Sequence, residues 1–271
     1  MDSNNRSNIV GMTIVYGLVL FLVLPIIFMG FWSVTREWGW PHLLPESFTL
    51  EAWRDFLFAD ARAWEALGES FLVGLGVVVL ALGISIPAGK ALALYQFPGK
   101  ELINVLVLAP IIVPPLAVTM GIHINFLRLG LSGSIWGVIL VHLIPSIPYS
   151  IKILTHTFEA SGKKLEEQAQ VLGANARQRF LHITWPLIKP GVISAGIMVF
   201  IVSFSQYILT FLMGEGRVIT FPVVLFPLVE RGSRTLASVY SFVFVAAVLV
   251  FIFILEWVLK EEGETSGNFH L

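Results

Sequence analysis

Apolar residues gather into six long runs separated by shorter polar stretches, near 10–32, 68–95, 102–127, 134–157, 186–212 and 237–259. A helix needs roughly 20 apolar residues to cross about 30 Å of hydrocarbon, and each run meets that length. The pattern predicts an all-α membrane protein with six transmembrane helices, 1–271 forming a single transmembrane domain. The first run, Val10 to Trp32, is too long for a signal-peptide core and no small-residue cleavage site follows it, so it is expected to remain as a membrane span.

Composition sharpens the picture. Hydrophobic residues make up 56% of the chain and charged residues 13%, with mean hydropathy +0.83, which excludes an ordinary soluble domain. Lys and Arg total 17 against 18 Asp and Glu, leaving no basic field that would attract nucleic acid. With no Cys and six scattered His, thiolate chemistry is excluded and no metal site or cofactor is expected on the chain. Six spans put both termini on one side. That side carries all seven lysines and ten of the 17 basic residues, so the termini are expected to be cytoplasmic.

Two segments between the runs are long enough to fold. Residues 33–67, on the expected outer side, contain Pro41 and Pro45 and then an amphipathic helix opened by Thr49, with Leu50, Trp53 and Leu57 on its apolar face. It reads either as an interfacial helix or as a docking surface for an external protein. Residues 158–185, on the inner side, break the apolar pattern with a dense set of charged and amide side chains. Leu165, Ala169 and Leu172 share one helical face, with Glu166, Glu167 and Gln170 expected to point away from it. Gly173 stands where a left-handed residue would stop that helix, and Asn175 is placed to cap a second one through Arg177 and Phe180. Pro186 suits the first turn of the next membrane helix.

Glu167-Gln168-Ala169, three residues, Gly173, nine residues and then Ile183-Thr184-Trp185-Pro186 resembles the EAA…G…I-x-L-P loop of ABC importer permeases. Gln168 replaces the usual middle Ala, and Trp185 the usual Leu. Phe48-Thr49-Leu50 and the run Ser203-Phe204-Ser205-Gln206-Tyr207 look like permeases of the spermidine/putrescine type. The resemblance implies a type I ABC importer permease fold in a bacterial inner membrane. It also implies a cytoplasmic coupling helix seated in an ATPase dimer that holds ATP and Mg, a second permease subunit and a periplasmic solute-binding protein. Glu167, Gln168, Ala169, Leu172, Gly173, Ile183 and Pro186 become the ATPase-coupling residues. No phosphate-binding loop occurs on this chain, since Gly89-Lys90, Gly99-Lys100 and Gly162-Lys163 are followed by Ala91, Glu101 and Lys164 rather than Ser or Thr. The chain is therefore not itself an enzyme, and ATP is hydrolysed on another polypeptide.

Within the spans, Ala109-Pro110, Pro114-Pro115, Pro145 and Pro148 are expected to bend helices three and four. Polar residues at membrane depth are costly and face a cavity or one another; those in this chain are His123, His142, Ser203, Ser205, Gln206, Tyr207 and Thr210. Ser203, Gln206 and Thr210 share one face of the fifth span at i, i+3, i+7. With His142 and Tyr207 they form a candidate translocation path, the alternative being interhelical hydrogen bonding.

The resemblance points to a small polar solute such as a polyamine. No carboxylate, however, occurs from Leu102 to Phe158 or from Gln168 to Gly214, where a polycation would need anions to offset its desolvation. Aminophosphonate, thiamine and iron use similar permeases and stay open. A secondary transporter would call for internal repeats and intramembrane acids, neither of which is evident.

Overall fold

A computed structural model of the chain describes residues 2–36, 38, 45 and 47–264, with 2–11, 115 and 259–264 described by backbone alone. Pro41 lies outside the described residues. The described secondary structure is helical apart from one isolated antiparallel bridge between Thr35 and Phe48. The helices are α1 (Asp2–Ser33), α2 (Glu51–Phe58), α3 (Ala61–Leu94), α4 (Lys100–Ile112), α5 (Pro115–Arg128), α6 (Ile135–Ser161), α7 (Lys164–Val171) and α8 (Ala176–Arg179). A π-helical turn (Phe180–Thr184) leads into α9 (Trp185–Phe204), followed by α10 (Ile208–Gly214), α11 (Phe221–Glu230) and α12 (Arg234–Glu264).

Five helical stretches among the described residues are long and apolar enough to cross a membrane: 12–33, 61–94, 135–161, 176–204 and 234–258. The third expected span is broken. α4 and α5 meet at 94°, with Val113 extended just ahead of Pro114-Pro115, because a residue preceding proline is driven out of the helical region. Pro145 and Pro148, by contrast, stay inside the continuous α6. The helix is not interrupted there.

The chain divides into two compact units, residues 1–61 with 225–244 and residues 62–224 with 245–271. In the first, α2 buries Ala52 and Phe56. The Phe56 ring meets Tyr240 edge-on at 5.0 Å, and the Tyr240 hydroxyl donates to Asp60. Trp53 is half-buried with its ring 6.4 Å from Phe242, Leu50 and Leu57 are exposed, and Ala52 and Phe56, one helical turn apart, face inward. Thr49 accepts a hydrogen bond from the Glu51 amide at 3.1 Å, closing the first turn.

The second unit is organised around α6. Its apolar window is 67% buried, against 33% for the α3 window and 44% for the stretch containing α9, so α6 is the central helix of the unit. Leu154 and Phe158 of α6 pack with Ile188, Val192 and Ala195 of α9. Farther along α9, Phe200 stacks on Phe251 of α12 at 3.6 Å between centroids. Ser85 of α3 and Ser150 of α6 share a buried hydrogen bond of 2.6 Å, the kind of small polar contact that joins helices where lipid gives no hydrophobic drive to association.

Candidate coupling loop and intramembrane polar cluster

Between α6 and α9 the chain makes a compact loop whose shape follows from local chemistry. Gly162 (φ +64) ends α6, its amide bonded to the Phe158 carbonyl at 3.0 Å. Gly173 (φ +88) ends α7, with its own amide on the Gln170 carbonyl and the Ala174 amide on the Ala169 carbonyl, both at 3.0 Å. That pair is a Schellman motif, which satisfies carbonyls a helix end leaves unpaired. Asn175 then opens α8 with a capping box: its side chain accepts from the Gln178 amide and the Gln178 side chain accepts from the Asn175 amide, both at 2.9 Å.

Of the residues expected to couple, Glu167, Gln168, Leu172, Gly173 and Pro186 are exposed, while Ala169 and Ile183 are half-buried. Pro186 lies in the first turn of α9. Glu167, Gln168, Val171 and Leu172, with Lys164, line an open concavity on α7. The expected polarity of α7 is partly inverted. Val171 and Leu172 are 88% and 87% exposed, whereas Glu166 turns toward the chain itself. Its carboxylate accepts from Lys90 Nζ of α3 at 2.7 and 2.9 Å and from the Thr184 hydroxyl at the end of the π turn. Partial burial works to raise the Glu166 pKa, but the hydrogen bonds from Lys90 and Thr184 and the positive charges of Lys90 and Arg179 outweigh it and hold the carboxyl below its ordinary value. Arg179 also donates to Gln170, one turn along the same face of α7. Spacing alone did not reveal this network, because Lys90 lies 76 positions from Glu166.

At membrane depth, the expected fifth span does not run unbroken to 212. α9 stops at Phe204, α10 starts at Ile208, and Gln206 sits in the break rather than on a common face with Ser203 and Thr210. The structure does bring His142, Ser203 and Thr210 together. His142 is fully buried, with Nδ1 3.0 Å from Ser203 Oγ and Nε2 3.0 Å from Thr210 Oγ1. Gln206 and Tyr207 are half-buried, the Tyr207 ring 5.8 Å from Phe211. His123 stands apart from this cluster, with Nε2 3.7 Å from Glu215. Two anchors were not anticipated from sequence: Glu69 accepts from the Ile219 amide, and Ser70 from the Phe221 amide, both at 2.6 Å. Among the described residues, no three His, Cys, Asp or Glu side chains are placed to hold a metal ion.

Residues 81–260 match the family model described as "Binding-protein-dependent transport system inner membrane component". The chain belongs to this family. Permease subunits of the family carry no ATP site, and ATP is hydrolysed on a separate ATPase subunit. Membership implies that ATPase, a second permease subunit and a solute-binding protein as partners.

A protein of Salmonella typhimurium strain LT2, provisionally named the 2-aminoethylphosphonate transport system permease protein PhnV, is 26% identical over 254 residues, covering 93% of this chain and 94% of that one. The molybdenum transport system permease protein ModB of Escherichia coli K12 is 27% identical over 222 residues, 76% of this chain and 97% of its own. Among solved structures, a bacterial ABC transporter involved in the import of the acidic polysaccharide alginate superposes with TM-score 0.72 at 18% identity, over 96% of this chain and 98% of that chain. It shows the fold: an all-α, multi-span membrane protein built like ABC importer permeases. The permease expectation stands, and the secondary transporter is set aside by family membership. The polyamine subfamily is not supported; the aminophosphonate weighed beside it has the stronger similarity.

Proposed function

We propose that the chain is the permease subunit of an ATP-driven, binding-protein-dependent importer of a small oxyanion, with 2-aminoethylphosphonate the leading cargo. The observation carrying this is the near full-length similarity to a permease named for that compound. Similarity to a molybdenum permease also supports an oxyanion cargo. The carboxylate-free stretches 102–158 and 168–214 fit an anion, which fixed acids along its route would repel.

In this function α4 and α5 together make the third of six spans, and both termini and the 158–185 loop lie in the cytoplasm, with the segment within 33–67 outside. α7 is the coupling helix. Glu167, Gln168, Ala169, Leu172, Gly173, Ile183 and Pro186 form or support the surface that meets an ATPase dimer charged with ATP and Mg. The path passes the break at 205–207, where Gln206 and Tyr207 are half-buried; Ser203 and Thr210 each bond His142 and brace its wall.

Uptake into proteoliposomes holding the whole transporter and its binding protein tests the cargo. ATP-dependent accumulation of 2-aminoethylphosphonate, with spermidine excluded, is expected. Accumulation of spermidine and not of 2-aminoethylphosphonate would overturn the assignment.

A further inference from the structure

α7 hangs between two glycines, Gly162 and Gly173, both at positive φ and both with open space where a Cβ would stand. Neither glycine is itself packed, and at the N-terminal end the Lys163 ammonium, 4.4 Å over the Tyr95 ring, stands beside the turn, so the pose of α7 depends on contacts along its length. The inward face of α7 supplies the fixing points. Glu166 joins three segments through one carboxylate: α3 through Lys90, the π turn that continues into α9 through Thr184, and α7 itself. One turn on, at the exposed edge of the helix, Gln170 is held by Arg179 of α8.

The outward face, with Glu167, Gln168, Val171 and Leu172, is left exposed. A push on that face can reach α3 and α9 through Glu166. The joint is short and charge-assisted, with Lys90 and Glu166 only 27% and 21% exposed, so it is less screened than a surface pair.

Building on the function proposed above, we propose that the Lys90–Glu166–Thr184 cluster is the strut that passes motion of α7 into membrane helices α3 and α9, with Glu166 its positioning residue. Removing it leaves α7 docked on its ATPase but swivelling on its two glycines. Hydrolysis then continues while less solute crosses per ATP.

The test is a double-mutant cycle in the intact transporter, Lys90→Ala, Glu166→Ala and both together, with the charge-swapped pair Lys90→Glu/Glu166→Lys as rescue. 2-Aminoethylphosphonate imported per ATP hydrolysed is read in proteoliposomes. A cargo-independent readout is the distance distribution between spin labels at Val171→Cys and Val79→Cys, in a chain that has no other cysteine. We expect each single variant to retain its ATPase and lose on the order of fivefold in transport per ATP, with the double variant no worse than either single. The label distances should broaden, and the swap should narrow them and recover part of the ratio. Wild-type ratios and distances in Glu166→Ala, or losses that add in the double variant, would overturn the strut. So would loss of assembled complex that the swap does not repair, which would assign the cluster to folding. If wild-type transporter shows no ATP-driven uptake and no ATPase, the permease function fails first, and that outcome is separable because it appears without any substitution.

Discussion

Gly89 of α3 lies so close to Leu154 of α6 that a Cβ at residue 89 would stand 2.9 Å from the Leu154 Cβ, and 3.1 Å from the amide nitrogen of Thr155. Backbone cannot retreat as a side-chain tip can, so this contact sets how near the two helices come. It also brings the adjacent Lys90 within reach of α7. Gly89→Ala should cost about 1–3 kcal/mol, typical of an overpacked contact, and lower the thermal midpoint of the purified protein. Gly83→Ala, with nothing within 4 Å of its Cβ, should hold the midpoint or raise it, as alanine favours the helix. Equal midpoints for the two variants would contradict the close packing.

His142 is expected to act through packing. His142→Leu strands the Ser203 hydroxyl, while Thr210 keeps its bond to the Gln206 carbonyl at 3.1 Å, and should cost about 0.5–1.5 kcal/mol, the range for hydrogen bonds between membrane helices. Replacing both partners, His142→Leu with Ser203→Ala, should restore most of the stability, because the Ser203 hydroxyl is then no longer left unpaired and Thr210 keeps the Gln206 carbonyl. Thermal unfolding and uptake measured together decide the matter. Restored stability with uptake still abolished would place these side chains in the path itself.

The loop was more legible in the sequence than the membrane interior, for physical reasons. Gly173 and Asn175 act on their immediate neighbours, through a left-handed turn and a capping box, so their roles follow from residues within a few positions. Glu166 was expected to face water because only its helical neighbours were visible; its partners, Lys90 and Thr184, come from elsewhere in the chain and reverse its direction. The stop between Phe204 and Ile208 carries no proline or glycine to announce it, and hydropathy runs straight through it. Pro145 and Pro148 lie inside the unbroken α6, since membrane helices tolerate proline where neighbouring groups satisfy the backbone it frees. The Pro114-Pro115 pair did mark a sharp bend.

Acidification should reveal the Glu166 pair in a specific window. Its folded pKa lies below the ordinary 4.5, so the pair's contribution is complete above that value and is lost only as pH falls through the lower folded one. The difference in thermal midpoint between wild type and Glu166→Gln should be flat through neutral pH and shrink below pH 4.5. A difference that already vanishes near neutrality would show that the carboxylate is not held by Lys90 and Arg179.

Gly173→Val tests the turn alone, since open space surrounds the missing Cβ and only the backbone conformation is penalised. The expected cost is about 1–2 kcal/mol at that residue, too little to unfold the membrane bundle. Uptake should fall with the protein still in the membrane and its ATPase held more loosely. Gly173→Asn, which tolerates a left-handed turn better, should retain more activity. Full activity and full ATPase retention in Gly173→Val would show that the turn is dispensable.

The docking of the exposed end of α7 in an ATPase is tested most directly by a photoactivatable label attached at Leu172→Cys, because the chain has no other cysteine. Irradiation of membranes carrying the complete transporter should join Leu172 to a polypeptide that contains a phosphate-binding loop, identified by sequencing the linked peptide. The same yield should drop in Gly173→Val. Adducts to lipid alone, or no adduct while the ATPase still copurifies, would contradict the docking of α7.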